Sequence, residues 1–212
     1  TIIRGQTEAI VDGVYPADAE HMAPILAATE SLEMLVNDLS TLTLLEGGTL
    51  RLRREPVDVD VLVNGTLDAF RPEATAAGVQ FIEAVDPHLR ALDADPGRIR
   101  GVLGNLVSNA LAHSRRGGSI RVEAIAEAGR IRITVRDDGV GIPADLLPRV
   151  FDRFVKGPGS TGSGLGLAIV RDVVEAHGGS AEATSSPGHG TAISLSLPIA
   201  TGGGSTPLPL KP

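Results

Sequence analysis

The sequence contains no cysteine and no tryptophan, and aromatic residues make up only 2% of it. The lack of cysteine excludes disulfides, thiolate catalysis and cysteine-ligated zinc. Because aromatic residues are so scarce, a hydrophobic core has to be built from Leu, Val, Ile and Ala. The hydrophobic fraction of 42% over 212 residues is sufficient for such a core.

The chain also lacks an excess of positive charge and a long apolar run. Its net charge is −7, which argues against nucleic acid as the main partner, because phosphate backbones bind basic faces. No run of 18 apolar residues and no signal peptide is visible. We therefore expect a soluble, cytoplasmic chain.

Residues 1–48 are predicted to form a helical hairpin. The first helix covers Thr1–Val14 and ends at Tyr15-Pro16, and the second covers Asp18–Glu46. Asp18 is the predicted N-cap of the second helix, and Gly47-Gly48 is its stop signal.

The second helix carries a wide, mostly apolar face whose members are spaced three or four residues apart: Met22, Ile25, Thr29, Leu32, Val36 and Leu39. Such a face predicts a four-helix bundle, and since this chain supplies two helices, it predicts a homodimer. The alternative is that the hairpin packs on the globular part of its own chain.

From residue 49 to 199 the pattern predicts a second domain, and the Gly/Pro-rich tail at 200–212 is predicted to be disordered. Helices are predicted over 57–77 (with Val61, Leu62, Leu67 and Phe70 facing inward), 95–113 and 164–177. Strands are predicted over 50–54, 79–85, 91–94, 119–126, 130–135, 180–184 and 192–197. This order predicts an α+β fold, a two-layer sandwich with helices on one face of a mostly antiparallel sheet.

The glycine-rich stretch Gly162-Ser-Gly-Leu-Gly-Leu167 directly precedes a predicted helix. Free backbone N–H groups and the positive end of the helix dipole favour an anion there, so we interpret the stretch as a phosphate cradle. A flexible linker is the alternative interpretation.

Asn105, Asn109 and His113 are spaced four residues apart and share one helix face. Amide oxygens are hard donors that suit a Mg²⁺ ion which also binds phosphates and water. Each Asn taken singly also fits a surface or capping position.

Asp137-Asp-Gly-Val-Gly-Ile-Pro143 ends a predicted strand. A carboxylate only accepts hydrogen bonds, so Asp137 would select the adenine N6 amine over the guanine O6. A Rossmann fingerprint is excluded because the third glycine is missing, and no P-loop motif is present.

These motifs resemble those of the sensor histidine kinases of two-component systems, whose catalytic domain belongs to the GHKL superfamily. Five motifs occur in the family's order: Asn105-Leu-Val-Ser-Asn109, Asp137-x-Gly139-x-Gly141, Phe151-Asp-Arg-Phe154, Gly162-Ser-Gly-Leu-Gly-Leu167 and Gly188-His-Gly-Thr191. The resemblance covers about residues 50–200 and implies the Bergerat-type ATP-binding fold. The hairpin is similar to the family's dimerisation and phosphoacceptor helices.

The resemblance also implies a role for each matching residue. Asp137 would bind the adenine N6, next to Gly139, Gly141, Ile142 and Thr191. Asn109, helped by Asn105, would hold Mg²⁺, and His113 would lie beside the nucleotide. The phosphates would be wrapped by the stretch Gly162, Ser163, Gly164, Leu165, Gly166 and Leu167, under a lid of residues 155–163 that Phe151 and Phe154 anchor. Lys156 would reach a phosphate or remain solvated, and the two Phe also fit plain core positions.

The implied function is transfer of the ATP γ-phosphate to a His on a helical bundle, for relay to an Asp of a response regulator. The family's acceptor motif H-E-x-x-T-P is absent, so we expect the acceptor on a missing segment or on another polypeptide, and the chain to be the cytosolic part of a membrane-anchored sensor.

Two further departures from the family pattern are Ala112 in place of a basic residue, for which Arg115 or Arg116 would compensate, and a short lid. Because of these two departures, a regulatory module that binds ATP but does not transfer phosphate remains an alternative interpretation. A related ATPase or serine kinase of the superfamily is a further alternative.

Overall fold

The structure, a computed structural model, describes residues 2–46, 51–157 and 162–200. The predicted Gly47-Gly48 stop, the middle of the predicted lid and the predicted tail beyond residue 200 lie outside these residues. The chain divides into two compact units, Thr1–Leu50 and Arg51–Pro212, which we call the helical unit and the sheet unit.

The helical unit contains helices α1 (Ile2–Val11) and α2 (Ala19–Glu46), which pack on each other. The Asp18 carboxylate accepts the backbone N–H of His21 at 3.1 Å, so Asp18 caps α2 as predicted. Helix α1 ends three residues before the predicted Val14, and Gly13 follows with a left-handed φ of +73°.

Several large apolar side chains of α2 are exposed within the helical unit: Met22, Leu26, Leu32, Val36 and Leu39. Their spacing of three, four or six residues places them along one side of the helix. No helix among the described residues has the length and apolar character needed to span a membrane.

The described part of the sheet unit contains seven strands and three α-helices. The strands are β1 (Glu55–Val57), β2 (Gln80–Val85), β3 (Leu92–Ala94), β4 (Ser119–Glu127), β5 (Arg130–Asp137), β6 (Ser180–Ser185) and β7 (Thr191–Pro198). The helices are α3 (Val59–Ala77), α4 (Pro96–His113) and α5 (Gly166–Ala176).

Five strands form the main sheet in the order β2-β4-β5-β7-β6, and β1 pairs with β3 in a separate antiparallel ribbon. Strands β2 and β4 are parallel, and the other three pairs of the main sheet are antiparallel. The parallel pairing is possible because the connection from β2 to β4 contains β3 and α4, which return the chain to the end of the sheet where β2 began.

One face of the main sheet is apolar and carries the helices. Inward positions alternate along β4 and β5, where Ile120, Val122, Ile131 and Ile133 are buried. The buried stripe of α4, including Ile99, Leu103 and Leu106, completes the core. The predicted α+β two-layer sandwich is confirmed.

Near the start of the sheet unit the structure differs from the sequence prediction. Residues 51–54 are not a strand, because pairing begins only at Glu55, where β3 provides a partner. Helix α3 begins at Val59 because Asp58 caps it. Val61, predicted to face inward, is 64% exposed, whereas the neighbouring Leu62 is buried.

Candidate functional site

The carboxylate of Asp137 lies at the end of β5 and is 9% exposed. It is buried because β5 alternates, so that Asp137 follows Ile131, Ile133 and Val135 on the inward face. Its Oδ1 accepts the backbone N–H groups of Gly139 at 2.9 Å and Thr191 at 3.2 Å. Within the described residues Oδ2 receives no hydrogen bond, so it remains an acceptor for a ligand.

Burial raises the pKa of Asp137, since desolvation penalises the charged form. The N–H groups of Gly139 and Thr191 and the charge of His113 act in the opposite direction and lower the pKa. The site therefore disfavours the charged form of the carboxylate, as expected for a group whose hydrogen-bond donor is supplied by a ligand.

Three glycines let backbone segments approach each other closely around Asp137. A Cβ on Gly139 would overlap the His113 carbonyl oxygen, and a Cβ on Gly141 would overlap that of Ser186. A Cβ on Gly190 would overlap the carbonyl oxygen of Asp137 itself. The glycines are needed here because no side chain fits between these segments.

The hydroxyl of Ser185 connects the loop after β5 to the β6–β7 turn. Its Oγ accepts the backbone N–H of Ile142 at 2.8 Å and donates to the carbonyl oxygen of Gly190 at 2.7 Å. It also lies 3.0 Å from the hydroxyl oxygen of Thr191. Ile142 and Thr191, both predicted for the site, are thus tied together by a residue that was not predicted.

Helix α4 positions the predicted metal and phosphate residues on one face. Asn105 is half-buried and donates its amide N–H to the carbonyl oxygen of Gly166 at 3.5 Å, whereas Asn109 is exposed. At the end of the helix, the His113 carbonyl oxygen accepts the backbone N–H of Val140 at 3.3 Å. Helix α4 therefore contacts both the start of α5 and the loop that follows Asp137.

The glycine stretch leads into α5, but the helix begins at Gly166 rather than at Gly164 as predicted. Gly164 has a left-handed φ of +75°, which is incompatible with a helical residue. The hydroxyl of Ser163 accepts the N–H of Leu165 at 3.1 Å, and Leu165, which is buried, anchors the turn.

The predicted lid anchors behave differently from each other. Phe151 is half-buried, whereas Phe154 is 72% exposed with a left-handed φ of +63°. The N–H of Phe154 donates to the carbonyl oxygen of Gly164 at 2.8 Å. The interpretation of Phe154 as a core residue is wrong, because this backbone contact turns its ring outward; Lys156 is exposed as well.

The structure thus groups the predicted residues in two clusters of the sheet unit. One cluster surrounds the carboxylate at the end of β5 and consists of Asp137, Gly139, Gly141, Ile142 and Thr191. In the other cluster, Asn105 and Gly166 connect α4 to α5. Arg116 packs over Gly78, the C-cap of α3, where a Cβ would lie 3.1 Å from its Cγ. In the described part of the chain no group of three or more His, Asp or Glu could hold a metal ion. The assignment of Asn105 and Asn109 to Mg²⁺ stays a prediction.

Sequence reasoning missed Ser185. The available signal was a hydroxyl at an inward position of β6, where alternation after Ala181 and Ala183 calls for an apolar residue. A polar side chain at such a position needs a hydrogen-bond partner, and here it has several.

Comparison with known proteins identifies the relatives of this site. The family model described as "Histidine kinase-, DNA gyrase B-, and HSP90-like ATPase" matches residues 94–201. The signal transduction histidine-protein kinase BaeS of Escherichia coli is 34% identical over 203 residues, which cover 93% of this chain and 43% of BaeS. The chain therefore spans less than half the length of this relative.

Two solved structures share the fold. The histidine kinase AdeS of Acinetobacter baumannii superposes with a TM-score of 0.77 at 26% identity, covering 94% of each chain. Full-length ShkA in complex with AMPPNP superposes with a TM-score of 0.75 at 31% identity, covering 95% of this chain and 43% of ShkA.

Proposed function

The chain belongs to the histidine kinase-, DNA gyrase B- and HSP90-like ATPases, among the sensor histidine kinases, and we propose that its sheet unit binds ATP and transfers the γ-phosphoryl group to a histidine. The buried Asp137 carboxylate among glycine-lined backbone segments is the observation that carries the proposal. The AMPPNP bound by ShkA, a relative in fold and sequence, supports it.

The adenine base is proposed to lie against Asp137. Its N6 amine would donate to Oδ2, the carboxylate oxygen that is not engaged by Gly139 and Thr191. The cost of burying the charge is then partly offset, because a donor from the ligand replaces the lost water. The closely packed loops at Gly139 and Gly141 let the flat base approach the backbone.

The triphosphate is proposed to extend from Asp137 towards the start of α5. The backbone N–H groups around Gly164 and Gly166 would donate hydrogen bonds to its phosphate oxygens, and the helix dipole favours its negative charge. Asn109 and Asn105 would hold Mg²⁺, which supplies charge neutralisation on the phosphates. The hydrogen bond between Asn105 and Gly166 holds the proposed Mg²⁺ ligands of α4 close to the proposed phosphate-binding start of α5.

In the proposed transfer, a neutral imidazole nitrogen attacks the γ-phosphorus in line. The new N–P bond forms as the bond to the β-phosphate oxygen breaks, and ADP leaves. The protein contributes positioning and charge stabilisation. We propose that the acceptor lies outside these 212 residues, since none of the five His stands in an H-E-x-x-T-P sequence.

The helical unit is proposed to form a homodimer through the exposed apolar side of α2. Leu32, Val36 and Leu39 are 51–63% exposed within the unit, an arrangement that a four-helix bundle would cover. A response-regulator Asp is the proposed next acceptor of the phosphoryl group, as the family relationship implies.

ATP binding tests the site directly. Isothermal titration calorimetry with ATP and Mg²⁺ should give binding to the chain and a loss of roughly ten- to a hundredfold in Asp137→Asn, the range for a hydrogen bond to a charged group. The matched control is Asp138→Asn, since the neighbouring Asp138 carboxylate faces Ser119 instead, at 2.9 Å from its N–H. Equal affinities of the two variants would contradict the proposed site.

A further inference from the structure

We propose that Ser185 is a positioning residue that sets adenine selectivity by fixing the direction of the Thr191 hydroxyl proton. The inference rests on the proposed ATP site and concerns how that site rejects a base with a carbonyl at position 6. It follows from counting the protons in the Ser185 cluster.

A serine hydroxyl has one proton to donate and two lone pairs to accept with. The single proton of Ser185 goes to the carbonyl oxygen of Gly190 at 2.7 Å, because a carbonyl can only accept. One lone pair takes the N–H of Ile142 at 2.8 Å. The contact to Thr191 at 3.0 Å then has only one possible direction, with Thr191 donating to Ser185.

This direction determines what Thr191 can offer to a ligand. Its hydroxyl proton is used on Ser185, and its backbone N–H is used on Asp137. Only acceptor lone pairs remain at the Thr191 oxygen, and the Asp137 carboxylate, to which the Thr191 backbone N–H is bonded, is an acceptor as well. The side chains at this edge therefore offer acceptors to the base and no donor.

An acceptor-only edge suits the amine of adenine and opposes the carbonyl of inosine at the same ring position. Without Ser185, the Thr191 hydroxyl would be free to rotate and donate to that carbonyl. The serine would thus act through Thr191, without touching the base.

The test compares ATP with inosine triphosphate, which carries O6 in place of the N6 amine. In Ser185→Ala we expect ATP affinity to fall about tenfold and the preference for ATP over inosine triphosphate to fall by a similar factor. Ser185→Thr keeps the hydroxyl and should restore the preference. A merely structural role would weaken both nucleotides equally.

A double-mutant cycle with Thr191→Val isolates the coupling. Thr191→Val removes the hydroxyl and should by itself lower the preference for ATP over inosine triphosphate. Adding Ser185→Ala to Thr191→Val should lower that preference no further. Thr191→Val also keeps the proposal testable if Ser185→Ala alone fails to fold. Thr184→Val is the matched control, because Thr184 is exposed on the outer face of the same strand.

The outcomes separate this inference from the proposed function. If the unaltered chain binds ATP and prefers it, but Ser185→Ala leaves that preference unchanged, the role of Ser185 is wrong and the ATP site stands. If the unaltered chain binds neither nucleotide, the proposed function fails and the inference fails with it.

Discussion

At the scale of single residues, Asp137 combines burial with hydrogen bonds that only partly compensate for it. Its pKa is raised above the ordinary value of 3.8, chiefly by desolvation. Because the pKa of Asp137 is raised in the folded state, this residue contributes to the free energy of unfolding at low pH. That contribution is lost as pH rises through the folded-state pKa. For ATP binding the sign is opposite, since the amine of adenine needs the ionised acceptor.

We therefore expect ATP affinity to weaken as pH falls from 7.5 to 4.5, with a midpoint above that of an ordinary Asp. Calorimetry on the chain and on Asp137→Asn at each pH separates this effect from the titration of ATP, which both proteins share. The affinity ratio of the two proteins should shrink towards acid pH; a constant ratio would show that Asp137 ionisation plays no part.

The residue roles could be predicted only where a motif identifies them. Asp137 follows from a strand that ends in a carboxylate and glycines, and the structure places that carboxylate in the core. The exposure of Phe154 could not be predicted, because it accompanies a left-handed backbone and a backbone hydrogen bond to Gly164, which the sequence pattern does not reveal. Ser185 shows the same limit, since its partners come from two separate segments, the loop after β5 and the end of the β6–β7 turn.

At the scale of elements, the β6–β7 turn shows why glycine is required at one position and replaceable at another. Gly188 and Gly190 have nearly equal φ values of +79° and +80°. A Cβ at Gly188 would meet nothing within 4 Å, whereas one at Gly190 would overlap the Asp137 backbone.

Gly188→Ala should cost about 1 kcal/mol of unfolding free energy, the cost of a left-handed conformation alone. Gly190→Ala should cost at least about 2 kcal/mol more, because the overlap forces backbone shifts. Urea unfolding of both variants measures the difference, and equal losses would contradict the close approach.

The end of α5 is tied to β3 and α4 through a buried histidine. His177 is fully buried; its Nδ1 donates to the Val173 carbonyl oxygen at 2.8 Å, and its Nε2 accepts the backbone N–H of Asp95 at 3.0 Å. Arg54, Asp93 and Asp95 are the charged groups around it, and burial lowers its pKa from 6.5.

This lowered pKa predicts an acid-sensitive sheet unit. The unfolded chain binds the proton more readily, so the stability contributed by His177 is present above pH 6.5 and is lost as pH falls through its folded pKa. Urea unfolding at pH 7.5 and 5.5 should show a smaller acid loss in His177→Asn than in the unaltered chain. His88→Asn, at an exposed histidine, should retain the full loss; an identical pH dependence of all three proteins would refute the role of His177.

Most elements were predictable from periodicity, and their ends from caps. Helix α4 covers Pro96–His113, close to the predicted range 95–113, and Asp95 caps it. The strand predicted over 50–54 was wrong because alternation indicates an extended chain and cannot supply a pairing partner. The parallel pairing of β2 with β4 likewise depends on contacts between distant segments.

At the scale of the whole molecule, the charge is unevenly distributed. Residues 1–50 contain one Arg and eight Asp or Glu, and so carry the entire net charge of −7. A homodimer formed through α2 would bring two acidic units together, so charge repulsion would oppose the apolar contact.

Salt should therefore strengthen the proposed dimer. Sedimentation equilibrium should give a dissociation constant that falls as NaCl rises from 50 to 500 mM, because screening reduces the repulsion. The double variant Leu32→Asn/Leu39→Asn should be monomeric at concentrations where Val14→Asn, at an exposed apolar residue between the two helices, remains dimeric. Equal association of both variants would place the interface elsewhere.

Phosphoryl transfer to a separate histidine tests the account most directly. The chain is incubated with γ-labelled ATP, Mg²⁺ and an acceptor polypeptide made of residues 1–46 preceded by an H-E-x-x-T-P helix. We predict an acid-labile, base-stable label on the acceptor, no label on the chain itself, and loss of labelling with Asn109→Ala. Label on the 212-residue chain, or ATP binding without any labelled acceptor, would contradict a histidine kinase whose phosphoacceptor lies outside this sequence.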